Sequence, residues 1–492
     1  MTDKGQVMIR IASKKNKYTY NVYHVVKAFF PNEEIIQKVD EKQEPLVAVE
    51  MPGGSCFSIA QGTVEEKLAG KLFATEEEHQ QAVKRQVTRF LYRYLSEQTG
   101  RGLAWGTLTG VRPTKLPMEK LEAGVSEDVI IRSMEREYFV SHEKAVLACE
   151  VAKREKELLS RLDCEAGFSL YAGIPFCPSV CSYCSFSSSP IDKWRDRVDA
   201  YLGALEKELR ALGKMAQGRR PDTVYIGGGT PTTLEPDQLE RLLCVIEESF
   251  DLGHVLEFTV EAGRPDSITE EKLRVLRKHP VTRISVNPQT MQQKTLDLVG
   301  RKHTVEQTVE AFRMARSMGF DNINMDLIAG LPGETVEDMQ DTLAQIEALA
   351  PDSLTVHALA IKRAARFGQE GRTANLHEEI SRMVDTAYEG ARKMGLAPYY
   401  LYRQKNIAGN FENVGYAELD KAGIYNILIM EEKQSILAAG AGASTKILLK
   451  HPIIKEGGKE ANLIRVENVK SVNDYISRID EMIERKGEWI WR

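Results

Sequence analysis

Ser169-Leu-Tyr-Ala-Gly-Ile-Pro-Phe-Cys177-Pro-Ser-Val-Cys181-Ser-Tyr-Cys184 is the stretch on which the reading of this chain turns. Ser169–Ile174 is a short apolar run closed by a proline, the pattern of a buried strand. The strand runs straight into Cys-x3-Cys-x2-Cys. Three thiolates on one tight loop can converge on three irons of a [4Fe–4S] cubane and leave the fourth iron open to a small chelating ligand. The competing reading is structural zinc, which wants four ligands in paired Cys-x2-Cys or Cys/His sets. No second pair follows, and the next histidine downstream is His254. Cys56, Cys149, Cys164 and Cys244 are scattered and read as buried thiols.

Outward from that loop the chain keeps a rhythm. β-rich runs recur at Ser169–Ile174, Thr223–Ile226, Glu257–Glu261, Arg283–Asn287, Asn322–Ile328 and Ser353–Leu359. Helical patterns lie between them. Leu202, Leu205, Leu209 and Leu212 recur at helical spacing. Thr304 and Gln307 form a capping box for a helix carrying Val305, Val309 and Phe312, which Gly319 stops. Strand then helix, six times over, predicts parallel strands with right-handed crossovers. Six units are too few for a closed eight-stranded barrel, so the expectation is a partial (β/α)6 TIM-like barrel, open at one side. In such folds the chemistry sits at the C-terminal ends of the strands.

The rest of the chain sets bounds. With 492 residues, two or three domains are expected. The boundaries read as an α+β N-terminal domain over 1–165, the barrel core over 166–360 and a mainly helical C-terminal domain over 361–492. The N-terminal part opens with strand-like runs at Val7–Ile11 and Tyr18–Val26, then turns helical over Glu76–Glu97 and Ser141–Leu162. Met51-Pro-Gly-Gly-Ser reads as a turn. Trp105–Lys115 reads as a polar, glycine-containing connector. Lys and Arg number 66 against 71 Asp and Glu, a net charge of −5, which makes no whole-chain case for nucleic acid or an anionic membrane. No apolar run reaches the ~20 residues that span a bilayer, and the start lacks the h-region of a signal peptide. A cytoplasmic location is expected.

A second motif passes the strand-end test. Thr223–Ile226 ends in Gly227-Gly-Gly-Thr-Pro231, where consecutive glycines either make a tight turn or let a ligand approach the backbone. With Tyr171-x-x-Ile-Pro-Phe-Cys177-x3-Cys181-x-Tyr183-Cys184, Glu261, Gln289 in Asn287-Pro-Gln-Thr, Gly300-Arg-x-His303 and Asp326-Leu-Ile-x-Gly330-Leu-Pro-Gly333, it resembles the radical S-adenosylmethionine (SAM) family of oxygen-independent coproporphyrinogen III oxidases. The long N-terminal extension and Tyr402-Arg-Gln-Lys-Asn resemble that family's HemZ-type branch.

The resemblance implies an oxidoreductase of anaerobic porphyrin and heme biosynthesis. Propionates of coproporphyrinogen III would become vinyls, giving protoporphyrinogen IX. It implies a [4Fe–4S] cluster on Cys177, Cys181 and Cys184 and one or two molecules of SAM. Tyr171, Tyr183, Gly228, Gly229, Thr230, Glu261, Gln289, Arg301 and Asp326 then contact the cofactor. Gly440-Ala-Gly-Ala-Ser-Thr-Lys446 lacks phosphate-loop spacing and resembles the family segment that closes the site, placing Gly442 near a second SAM. The implied partners are a tetrapyrrole and a reduced flavodoxin or ferredoxin-type electron donor. Lys362, Arg363, Arg366, Tyr399–Lys405 and His357 are candidates for the substrate side; the basic residues read equally as solvated surface and His357 as core. The characterised dehydrogenases carry a further cysteine where this chain has Phe186, and heme-chaperone members carry an aromatic there. Heme binding, and radical chemistry on another tetrapyrrole, therefore stay open beside the decarboxylation.

Overall fold

The computed structural model describes residues 8–31, 33–42, 44–51, 54–184, 188–359, 377–403, 411–454 and 460–491. The chain divides into two compact units, 1–153 with 401–412 and 154–400 with 413–492.

In the first unit β1 (Met8–Ser13), β2 (Glu34–Val39), β3 (Val47–Glu50) and β4 (Cys56–Ile59) form one sheet in the order β2-β1-β3-β4. Tyr18–Val26, expected as a strand, lies within a helix, Asn16–Phe29. The run is rich in Tyr and Val, which favours strand locally. Tyr18, Val22, Val25, Val26 and Phe29 nevertheless fall on one helical face, and that face is buried. The helix Glu76–Thr99 starts at Thr75, whose side chain accepts from the Glu78 N–H, and ends at Gly100 in the left-handed region. The Trp105–Lys115 segment is packed rather than loose. The Trp105 ring is buried, and its Nε1 donates to Glu412 Oε2 at 2.7 Å, while Lys144 pairs with Glu412 Oε1 at 2.7 Å. Of the four scattered cysteines, Cys149 is buried but Cys56 is exposed, and Cys164 and Cys244 are half-buried. The expectation of four buried thiols was therefore too broad: Cys56 lies on a four-residue strand whose alternate residues face solvent.

The second unit is built on the predicted strands: β5 (Phe168–Ile174), β8 (Pro221–Gly228), β9 (Glu257–Gly263), β10 (Arg283–Val286), β11 (Ile323–Ala329) and β12 (Ser353–Ala358). They pair side by side and parallel. Their interior residues are nearly all buried, as a sheet covered on both faces requires. Helices cover it, among them Val198–Met215, with Leu202, Leu205, Leu209 and Leu212 inward, and Val305–Ser317, with the Thr304–Gln307 capping box formed. A two-stranded ribbon, β6 (Phe176–Cys177) with β7 (Ser189–Pro190), brackets the cysteine loop.

The C-terminal part carries more sheet than a mainly helical segment would. β13 (Ala397–Arg403), β14 (Glu412–Ala417), β15 (Ile436–Ala439), β16 (Ser444–Ile454) and β17 (Glu460–Glu467) extend the sheet to eleven strands, ordered β13-β14-β12-β11-β10-β9-β8-β5-β15-β16-β17. β15 adds parallel to β5, while β14 and β16 turn antiparallel at the two sides. The physical reason is the exposed edge: β5 and β12 would otherwise present unpaired backbone groups. The order ends on β13 and β17, with no closing pair among the described residues. No helix among the described residues is long and apolar enough to cross a membrane.

Candidate functional site

The cysteine loop leaves β5 through Pro175 and folds back across the end of β8. The Gly229 N–H donates to Ile174 O and the Thr230 N–H to Phe176 O, both at 2.7 Å. A methyl on Gly229 would sit 2.5 Å from Phe176 O, so only glycine lets the two strand ends approach this closely. Gly228 has φ 109° and an exposed backbone, a conformation that side chains reject. From the other side, Ser182 N–H and Oγ donate to Val299 O at 3.0 and 3.1 Å, and Ser179 Oγ to Gly300 O at 3.3 Å. The loop is therefore held between the end of β8 and the Val299–Gly300 turn.

Donors converge on the sulfurs. Thr230 Oγ1 lies 3.6 Å from Cys177 Sγ, Arg264 Nη1 3.7 Å and Arg301 Nη1 3.8 Å from Cys181 Sγ. Arg264 and Arg301 are 4% and 5% exposed. Arg264 is fixed by a two-pronged pair with Asp266 at 2.9 and 2.8 Å. Arg301 donates to Asn287 O at 2.5 Å and to the Tyr183 hydroxyl at 3.3 Å. Burial pushes the Cys177 thiol up, and burial beside Cys181 pushes Tyr183 up. Two cations and a hydroxyl aimed at the sulfurs supply hydrogen bonds of the kind that tune an iron–sulfur cluster. Arg301 Nε and Asn287 Oδ1 are buried without a hydrogen-bond partner. A donor set of three sulfurs, with cations behind it and unused polar atoms beside it, fits a cluster that binds a further polar ligand.

Next along the strand ends comes a carboxylate–aromatic group. Glu261, near the end of β9, accepts the Tyr225 hydroxyl and the Gly228 N–H. Burial pushes its carboxyl up to about 7, Asp326 adding to the effect and Tyr225 opposing it. Tyr225 stacks on Tyr425 with ring centroids 4.5 Å apart, and Tyr171 stacks on Tyr225 at 6.3 Å. Gln289, just past β10, has φ 69°, unusual for a residue with a side chain, and exchanges backbone hydrogen bonds with Asp326 O and Ile328 N at 2.9 Å. Asp326 accepts from Asn324 Nδ2 at 2.7 Å and lies 4.0 Å from His357 Nε2. Gly442 sits on the loop after β15, and no contact from it to the cysteines is recorded among the described residues; that loop reaches the end of β5 through Gly440, where a side chain would meet Gly173 O at 2.6 Å.

Of the sequence-expected residues, Thr230 and Arg301 reach cysteine sulfurs, Tyr183 on the loop bonds Arg301, and Gly228 and Gly229 meet the start of the loop; Glu261 and Gln289 stand at the ends of β9 and β10, while Tyr171 and Asp326 lie in the middle of β5 and β11. Phe186, Lys362, Arg363, Arg366 and Lys405 fall outside the described residues. Arg264, Tyr225 and Tyr425 were not anticipated. Arg264 directly follows β9, so the strand-end rule that singled out Glu261 applies to it equally. Tyr425 comes from a helix far along the chain, Ile424–Glu431, and carries no local signal.

Comparison with known proteins bears out the family resemblance read from the motifs. A family model described as the Radical SAM superfamily matches residues 171–346. The oxygen-independent coproporphyrinogen-III oxidase-like protein HemZ of Bacillus subtilis (strain 168) is 41% identical over 411 residues, 81% of this chain and 80% of that one. The heme chaperone HemW of the same organism is 36% identical over 241 residues, 47% of this chain but only 62% of its own length. Coproporphyrinogen III oxidase (HemN) from Escherichia coli shares the fold with a TM-score of 0.52 at 23% identity, over 68% of this chain and 74% of that one.

Proposed function

This chain belongs to the radical SAM family of oxygen-independent coproporphyrinogen-III oxidase-like proteins, and from that premise we propose that it oxidatively decarboxylates coproporphyrinogen III propionates to vinyls, yielding protoporphyrinogen IX. Proteins of the superfamily use a [4Fe–4S] cluster and SAM. When bound, these supply a carbon radical after one-electron cleavage of the sulfonium. Cys177, Cys181 and Cys184 hold the cluster. Arg264 and Arg301 donate to the Cys181 sulfur and place positive charge beside it. Gly228 offers an open stretch of backbone to the amino-carboxylate end of SAM, with Gly229 and Thr230 beside it. Glu261, Gln289, Asp326, Tyr171 and Tyr183 line its remainder, and Gly442 lies toward a second molecule. The assignment rests on one observation: three thiols, a glycine ridge and two buried guanidinium groups meet at adjacent strand ends. The tetrapyrrole rests on the 41% identity to a coproporphyrinogen-III oxidase-like protein. The electron donor is a reduced flavodoxin or ferredoxin-type protein of the cytoplasm.

Phe186, in place of a further cysteine, favours a second reading, storage or transfer of heme. The test is anaerobic incubation of reconstituted protein with SAM, a reductant and coproporphyrinogen III. Protoporphyrinogen with carbon dioxide supports the first reading. No product together with tight heme retention supports the second. Cofactor cleavage that needs heme points to another tetrapyrrole reaction.

A further inference from the structure

Away from the strand ends, two helices on the outside of the sheet bring together a donor set that the reaction does not use. Glu240, Cys244 and Glu247 share one face of the helix Pro236–Ser249, at i, i+4 and i+7. His279 caps the end of the next helix, Glu270–Lys278, which packs alongside. One ligand atom from each of Glu240, Cys244 and His279 lies within 4.8 Å of the others. The His279 side chain is only 7% exposed. Its Nδ1 meets Glu247 Oε1 at 2.5 Å. Its Nε2 has no hydrogen-bond partner and faces Glu240 Oε1 at 3.5 Å. Glu240 Oε2 is likewise buried without a hydrogen-bond partner, with Lys278 Nζ 3.6 Å away.

We propose that Glu240, Cys244 and His279 form a site for a zinc-class divalent cation that clamps these two helices together. Sulfur, imidazole nitrogen and carboxylate oxygen are a zinc donor set, and a water completes four-coordination. Glu247 stands where a metal-bound histidine needs a carboxylate: it accepts the hydrogen bond from Nδ1–H and leaves the Nε2 lone pair directed at the metal. A zinc tetrahedron with 2.0–2.3 Å bonds has edges of about 3.5 Å, so modest side-chain rotations close the set. The thiol releases its proton on binding. Burial and the neighbouring Glu240, Glu247 and Glu248 raise the Cys244 thiol in the absence of a cation, and a divalent charge reverses that. The alternative is a histidine held between Glu240 and Glu247 with no metal.

The test uses cluster-loaded protein, so that the cluster already occupies the Cys177, Cys181 and Cys184 thiols. Zinc is added, excess is removed by desalting, and zinc and iron per chain are counted. Zinc X-ray absorption then reports the ligands. The expected result is one retained zinc with one sulfur neighbour. Cys244→Ala and His279→Gln should each weaken zinc binding at least tenfold at unchanged iron content, and Glu247→Gln by about ten- to a hundredfold. Zinc should raise the melting temperature of the parent and of neither Cys244→Ala nor His279→Gln. No retained zinc, retention equal in the variants, or a zinc shell without sulfur would overturn the proposal.

Discussion

Glu208 anchors the loop that carries Gly440 and Gly442, and its removal is expected to be among the most destabilising single changes in the chain. The carboxylate is fully buried in the helix Val198–Met215. Oε2 accepts from the Gly440 N–H at 2.9 Å and from the Tyr475 hydroxyl at 2.5 Å. Asn468 Nδ2 donates to both oxygens, at 2.9 and 3.1 Å, and the buried Lys486 ammonium pairs with Oε1. Glu208→Ala leaves that ammonium with Asn468 Oδ1, at 2.7 Å, as its remaining partner among the described residues. Breaking one side of a buried pair costs about 3–5 kcal/mol, a large share of the roughly 5–15 kcal/mol that holds a domain folded. Replacing both charges, Glu208→Leu with Lys486→Met, removes the stranded charge. It still leaves Gly440 N–H, Asn468 and the Tyr475 hydroxyl short of a partner, at about 1–3 kcal/mol each. The double variant should therefore recover part of the loss but not all of it. Equilibrium urea unfolding of the parent, Glu208→Leu, Lys486→Met and the double variant closes the cycle, with Glu208→Ala measured beside it. A Glu208→Ala protein within about 0.5 kcal/mol of the parent, or a double variant less stable than either single one, would refute the reasoning.

Glu261→Gln tests the raised carboxyl. A carboxyl raised to about 7 holds its proton more tightly in the folded state. The stability this contributes is full below the ordinary value near 4.5 and is lost as pH rises through about 7. Relative to the parent, Glu261→Gln should thus gain about 1–3 kcal/mol in urea unfolding between pH 5 and pH 8, and a pH-independent difference would contradict the assignment. Gly229→Ala should push the Phe176 carbonyl and the cysteine loop apart, since its methyl falls 2.5 Å from that oxygen. About 1–3 kcal/mol of overpacking should accompany poor iron loading after reconstitution. Arg264→Met removes a cation 3.7 Å from Cys181 Sγ and strands Asp266. A cluster with a more negative reduction potential is expected in an electron paramagnetic resonance titration.

The six central strands are legible in sequence because each is buried on both faces and so reads as an apolar run between polar helices. The cysteine and glycine motifs are legible because each directly follows such a run. β15 escaped because Ile436–Ala439 is four residues long and its partner, β5, lies more than 250 residues upstream. Nothing local announces a pairing that distant. The same distance hides Tyr425 beside Tyr225 and Lys486 beside Glu208. Tyr18–Val26 misleads for the opposite reason: its composition favours strand, and only the packed helical face decides otherwise. Arg264 is legible by the same strand-end rule, three residues after Glu261 and directly past β9.

The account stands on three thiols that hold a SAM-cleaving cluster. The most direct measurement is formation of 5′-deoxyadenosine by the anaerobically reconstituted protein with SAM and a strong reductant, parent against Cys181→Ala. Cleavage by the parent and none by the variant is the expected result. Cleavage that survives Cys181→Ala, or iron loading unchanged by it, would contradict the central claim.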